Sequence, residues 1–269
     1  MSRIIIATIK RNYIVSKRVF PWSFIIARVL MGIYVSVFAF FTFKYMFDGK
    51  TESHFLKYSN GIDYISFVVL GAGLYTYSIS IIMNVGRSLM LENIEGTLES
   101  ILVSPCSRLG YFLGVFFEQI GRSSLEFLIV IFFSLYLGAN IKIENTIQVL
   151  IVIIIITISL FSIGIFIATL MLFLRDTFIT QNTLFIVIGL VSGVSFPKEY
   201  LPNILYYLSY LSPLSYALSL FRSVMTGQNI LNDHTKEILG IFVLSLAYCL
   251  LGLLWLKCLE KKILENTFN

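Results

Sequence analysis

The chain is short of most of what soluble catalysis uses. Only 13% of its 269 residues are charged, against about 25% in a soluble domain. A water-facing surface of ordinary size cannot be built from so few charges. There are two histidines, His54 and His234, and three cysteines, Cys106, Cys249 and Cys258. The histidines lack acidic or cysteine companions at ligand spacing, so no metal site is expected. Neither lies near a motif serine or cysteine, which leaves Ser–His and Cys–His catalysis unsupported, and no catalytic residue is assigned. No cysteine falls in an expected external loop, so no disulfide is anticipated. No Gly-x-x-x-x-Gly-Lys-Ser/Thr string occurs, so the chain is expected to hold no nucleotide phosphates itself. A cleavable signal peptide is not expected either, because the first apolar run begins near Pro21 and is too long for one.

What is present is apolar. Hydrophobic residues make up 57% of the chain, arranged in runs of the length that crosses a bilayer, roughly 20 residues. The pattern predicts an all-α integral membrane protein, a single domain over 1–269, with six spans near 21–47, 62–84, 109–138, 146–174, 178–196 and 237–257. The β-branched run 149–156 reads as helix, since an open strand in lipid leaves its backbone unpaired. Before these lies an amphipathic segment, 3–20, expected to rest in the membrane interface. Arg3, Lys10, Arg11, Lys17 and Arg18 cluster on one side, and Ile5, Ile9, Tyr13, Val19 and Phe20 on the other. Pro197, Pro202 and Pro213 interrupt the outer loop 197–236, of which 198–225 is expected to dip into the outer leaflet as short re-entrant helices. The basic N-terminal segment and Lys257, Lys261 and Lys262 place both termini in the cytosol of a cell-membrane protein by the positive-inside rule. The net charge of +5 is accounted for by anionic lipid rather than nucleic acid.

Three groups of polar residues stand out. Between spans two and three, an expected cytosolic helix near 87–105 carries Glu92, Glu95, Gly96, Thr97 and Glu99. Glu92, Glu95 and Glu99 are three and four apart, hence on one face, and an acidic face suits a basic groove on a partner. Within the membrane, Glu118, Arg122 and Glu126 follow at i, i+4 and i+8, with Arg28 at comparable depth on the first span. Isolated charges in lipid are costly, so an ion network is expected, chiefly structural. Finally, small and hydroxylated residues mark spans two and five. Tyr75, Asn182, Phe185, Gly189, Ser192 and Phe196 are the best candidates for a central seam or substrate path.

The order of these elements, with Glu95-Gly96-Thr97-Leu98-Glu99 and Pro105 on the cytosolic helix, the Leu174-Arg175-Asp176 turn and Ser212-Pro213-Leu214-Ser215-Tyr216 before the last span, resembles the permeases of type 2 ABC exporters. That family includes drug, polysaccharide and lipid exporters and is similar in fold to the eukaryotic ABCG proteins. It often has Asn-Pro where this chain has Ser212-Pro213. The resemblance implies a coupling helix docked on a separate nucleotide-binding ATPase, with Glu92, Glu95, Gly96, Thr97, Glu99 and Arg175 at the contact. It implies ATP and Mg in that partner, no cofactor in this chain, and a homodimer or heterodimer of permeases. A drug, peptide or lipid-like amphiphile is the expected cargo, with a lipid-linked polysaccharide or teichoic-acid-like glycan as the alternative. A membrane-embedded lipid-modifying enzyme fits less well, because no cluster of acids or histidines lies near one membrane face.

Overall fold

The computed structural model describes residues 1–19, 22–50, 53–176, 178–227 and 234–268. Among them all regular structure is helical: α1 (Ser2–Val19), α2 (Trp22–Phe41, continued as a π turn over Thr42–Met46), α3 (Ser53–Tyr58), α4 (Tyr64–Ile94), α5 (Leu98–Val103), α6 (Arg108–Tyr136), α7 (Thr146–Leu174), α8 (Phe178–Val191), a 3-10 turn (Lys198–Tyr200), α9 (Asn203–Ser209), α10 (Pro213–Met225) and α11 (Thr235–Phe268). Local chemistry starts several of them. Asp63 accepts from the Ser66 amide at the head of α4, and Asn145 from the Ile147 and Gln148 amides at the head of α7.

Three helices are long and apolar enough to cross a membrane: Tyr64–Ile94, Thr146–Leu174 and Thr235–Ile263. The pair α9–α10, bent by 78°, raises the number to four if it counts as one span. Burial orders the three. The most apolar stretch of α4 is 89% buried, that of α7 56% and that of α11 17%, so α4 is the central post and α11 lies outermost. Lipid offers no hydrophobic drive between helices, so close approach at small residues has to hold them. A Cβ on Gly164 would stand 2.8 Å from Val85, and one on Gly86 2.7 Å from Ile167. Tyr77 and Thr157 share a hydroxyl–hydroxyl bond of 3.0 Å across the same α4–α7 seam, and Thr169 donates to the Gly252 carbonyl at 3.1 Å across α7–α11.

These contacts set the helix directions. α4, α7 and α11 run parallel and α6 antiparallel to them. One end of the bundle therefore gathers α1, the 94–108 connection, Arg175 and Glu260. The other gathers the start of α4, the 137–145 connection and the 193–202 turn.

The structure departs from the expected elements in three places. The helix expected over 87–105 is two pieces, because α4 runs on to Ile94 and stops before α5. The helical part of the fifth expected span ends at Val191, where Gly193 takes a φ of +68°. On α1, the face turned to the protein carries Ile4, Thr8 and Arg11, set against Gly110, Gly114 and Glu92, while Tyr13 is exposed. The side chains of Val19 and Phe20, named for the apolar face, lie outside the described residues.

Candidate functional site

The end of α4 is shaped by a glycine. Gly96 has φ +71°. The Thr97 amide donates back to the Glu92 carbonyl at 2.9 Å, and the Gly96 amide to Asn93 at 3.2 Å. This is the Schellman arrangement, with the left-handed residue just past the helix and two otherwise orphan carbonyls satisfied. A Cβ on Gly96 would meet nothing within 4 Å. Its use here is therefore backbone conformation rather than close approach. The break at Gly96 undoes the single acidic face expected for Glu92, Glu95 and Glu99. Glu95, Gly96, Thr97 and Glu99 are exposed, but Glu92 is only 3% exposed and points inward.

Glu92 joins four elements. Its carboxylate accepts from the Arg11 guanidinium of α1, from the Tyr111 hydroxyl of α6 at 3.0 Å, and from the Thr97 hydroxyl at 2.5 Å. Burial works against the Arg11 charge. The hydrogen bond and charge of Glu92 outweigh it and raise the Arg11 pKa above the ordinary guanidinium value.

A second clamp closes the far end of α5. Arg108 donates to the carbonyls of Ile101 (2.7 Å), Leu102 (2.5 Å) and Cys106 (3.0 Å), and pairs with Glu260 of α11 at 2.8 Å. The last carbonyls of a helix have no partner within it, and Arg108 supplies one for α5. Between the clamps, Leu98 and Leu102 are buried while Glu99, Ser100 and Val103 face outward. Arg175, in the left-handed region at φ +53°, ends α7 exposed at this same end of the bundle.

The charges of α6 lie next to this end. Arg122 and Glu118 form an i,i+4 ion pair at 2.7 Å, although Glu118 Oε1 makes no aligned hydrogen bond. Glu126 accepts from the Ser80 hydroxyl at 3.3 Å, and Gln119 donates to that hydroxyl at the same distance. The side chain of Arg28 lies outside the described residues. Glu118 and Arg122 share a polar cleft of about 270 Å³ with Arg11, Glu92, Glu95 and Thr97.

The candidate seam residues fall into two groups. Tyr75 donates to the Phe185 carbonyl at 2.6 Å, and its hydroxyl lies 2.7 Å from where a Gly189 Cβ would stand. Ser192 meets Ser212 at 3.2 Å. These residues face inward, whereas Asn182 is exposed beside Ile186 and Leu190, and Phe196 is 37% exposed.

A family model described as ABC-2 type transporter matches residues 3–226. This chain belongs to the ABC-2 type transporter family. It is a membrane protein and a permease component of an ABC transporter. No curated protein matches the chain.

Sequence reasoning did not single out Tyr111, Arg108 or Glu260 in the permease, and it placed Arg11 with the basic face of the interface helix. Arg108 carried a readable signal. A cation in the first turn of a helix opposes the helix dipole, so its place there calls for another partner. The opposite end holds a different arginine. Arg222 of α10 is buried and donates to the carbonyls of Phe67 (3.1 Å), Gly193 (3.0 Å) and Val194 (2.5 Å). Its Cζ lies 3.5 Å from the Phe67 ring centroid. Among the described residues, no three His, Cys, Asp or Glu side chains converge as metal ligands would.

Proposed function

We propose that this permease is one half of an ATP-driven exporter that moves an amphiphile (a drug, peptide or lipid-like molecule) out of the cell. Six helices cross the bilayer in this reading: α2, α4, α6, α7, α8 and α11, with α1 in the inner interface and α9–α10 re-entering from outside. Both termini are cytosolic. A second permease, identical or homologous, completes the path, and a separate ATPase subunit holds ATP and Mg. The observation that carries the reading is the exposed ridge of Leu91, Ile94, Glu95, Glu99 and Val103, mounted on a segment clamped from behind by Glu92 and Arg108. A rigidly held ridge transmits displacement into the helices, whereas a solvated loop absorbs it.

ATP binding in the partner then favours one of two arrangements of the bundle through contacts that differ between them. Glu92 passes the movement to α1 and α6, and Arg108 passes it to α11. The Glu118–Arg122 pair adjoins the same cleft and takes up the shift inside the membrane. Asn182, Ile186 and Leu190 face the second permease, backed by the packing of Tyr75 on Phe185 and Gly189.

The test is the double variant Glu95→Lys/Glu99→Lys in the full transporter. Both side chains are exposed, and the thermal midpoint of the purified variant checks that it is folded. Co-purification of the ATPase and transport are both expected to be lost. Wild-type assembly together with wild-type transport would refute the role of the ridge.

A further inference from the structure

The end of the permease away from α5 carries a second polar cavity, half open to the outside, of about 180 Å³. Arg222, only 5% exposed, lines it. Three of its N–H groups go to backbone carbonyls. A guanidinium has five such donors, so two are left, and among the described residues no carboxylate pairs with it. On the same lining stand Ser215, whose hydroxyl is buried without a hydrogen-bond partner, and Glu237, whose Oε2 is likewise buried and unpartnered. His234 Nδ1 faces that oxygen at 3.7 Å, in ion-pair range only for a protonated imidazole and beyond hydrogen-bond reach. Of the five buried side-chain atoms without a hydrogen-bond partner among the described residues, two belong to this lining and a third, His234 Nδ1, adjoins one of them.

The other two charges on the lining are already occupied or wet. Lys198 lies over the rings of Tyr210 and Tyr216, at 5.1 and 5.8 Å, and Glu199 is exposed. What remains is a buried cation and a half-buried carboxylate, 26% exposed with its Oε2 turned inward, on one cavity and with no ion pair between them. Buried polar groups in native proteins are almost always satisfied, and buried charges are paired. Water can complete the hydrogen bonds but brings no charge. A single group that reaches both carries a negative and a positive end.

We infer that this cavity binds a small zwitterionic head group, its anionic end on the Arg222 guanidinium and Ser215 hydroxyl and its ammonium on the Glu237 carboxylate. The inference deepens the export reading, which puts the cavity on the release side, but binding itself requires neither ATP nor the partner. Two sources share this chemistry, a phosphoethanolamine lipid head and the paired termini of a peptide.

The full-length permease in an uncharged maltoside detergent is titrated by calorimetry with O-phosphoethanolamine, glycylglycine, inorganic phosphate and ethanolamine. At least one zwitterion is expected to bind about tenfold or more tighter than phosphate or ethanolamine alone, as two charge-assisted contacts should. Which zwitterion wins separates lipid head from peptide. Glu237→Gln preserves the side-chain shape and is expected to weaken the zwitterion about tenfold while leaving phosphate unchanged. Ser215→Ala is expected to weaken it by roughly threefold. Absence of binding by both zwitterions, phosphate binding as tightly as they do, or indifference to Glu237→Gln would each overturn the inference. None of these outcomes bears on the Glu95→Lys/Glu99→Lys result, so the two failures are distinguishable.

Discussion

The two ends of the bundle hold their arginines differently. At the α5 end three guanidiniums rest on carboxylates, Arg11 on Glu92, Arg108 on Glu260 and Arg122 on Glu118, and Arg108 also holds three backbone carbonyls around the end of α5. At the other end Arg222 rests on three backbone carbonyls and a phenylalanine ring. A carboxylate sits on rotatable bonds, so pairs of this kind tie elements together while letting them shift. Backbone carbonyls have no such freedom, and an arginine that binds several of them fixes the turn that carries them. Arg108 thus stiffens the α5 segment while carboxylate pairs tie that segment to α1 and α11, whereas Arg222 fixes its turn with no ion pair to another element among the described residues.

The sharpest way to break this contrast is Gly71→Ala. The new Cβ would lie 2.1 Å from Arg222 Nη2 and 2.3 Å from the Val194 carbonyl oxygen. The guanidinium can withdraw only by leaving its carbonyls, and the backbone oxygen cannot rotate away. A loss of roughly 3 kcal/mol or more is expected, read as a lower thermal midpoint of the purified permease. Arg222→Leu should match it closely, and the double variant should cost little more than either alone, because both act on one contact.

Glu92→Ala comes next. It strands Arg11, Tyr111 and Thr97 and is expected to cost about 2–3 kcal/mol. Glu92→Gln keeps hydrogen bonding and should cost less, while still lowering transport per ATP hydrolysed. A normal transport-to-ATPase ratio in Glu92→Gln would remove the carboxylate from the coupling route. Arg108→Ala is smaller, at about 1–2 kcal/mol, with its signature confined to faster amide exchange in residues 98–103.

The smallest effect is one of pH. Arg11 has a raised pKa in the folded protein. Such a group contributes stability that is fully present below its ordinary value, and the contribution is lost only as pH rises through the folded value. Both values lie above the working range. The stability difference between wild type and Arg11→Gln should therefore be flat between about pH 7 and pH 9. A fall across that window would show that the pair is not held as described.

How much of this was readable from the residues differs between the two ends. Pro213, read in the sequence only as a break in the outer stretch, opens α10, because proline suits the first helical turn. The acidic ridge was half legible. Spacing placed Glu92, Glu95 and Glu99 on one face only for an unbroken helix, and Gly96 ends it. A glycine after a helical run is a known stop signal, yet the same residue reads equally well as a point of close approach, and only its φ separates the two. The Glu118–Arg122 pair was legible because both residues lie on one helix four apart. The partners of Arg11, Arg108 and Arg222 were not, being 81, 152 and up to 155 residues away. No local pattern spans such distances.

The sequence by itself determined that this protein lives in a membrane and is helical, because its few charges cannot cover a water-facing surface and lipid leaves a lone backbone no other partner. It also determined the order of elements by which the family is known. Only the tertiary structure decided which charges are used inside and which are offered outside. That choice depends on which helix packs beside which, and therefore on whether a carboxylate meets a guanidinium or is left facing solvent.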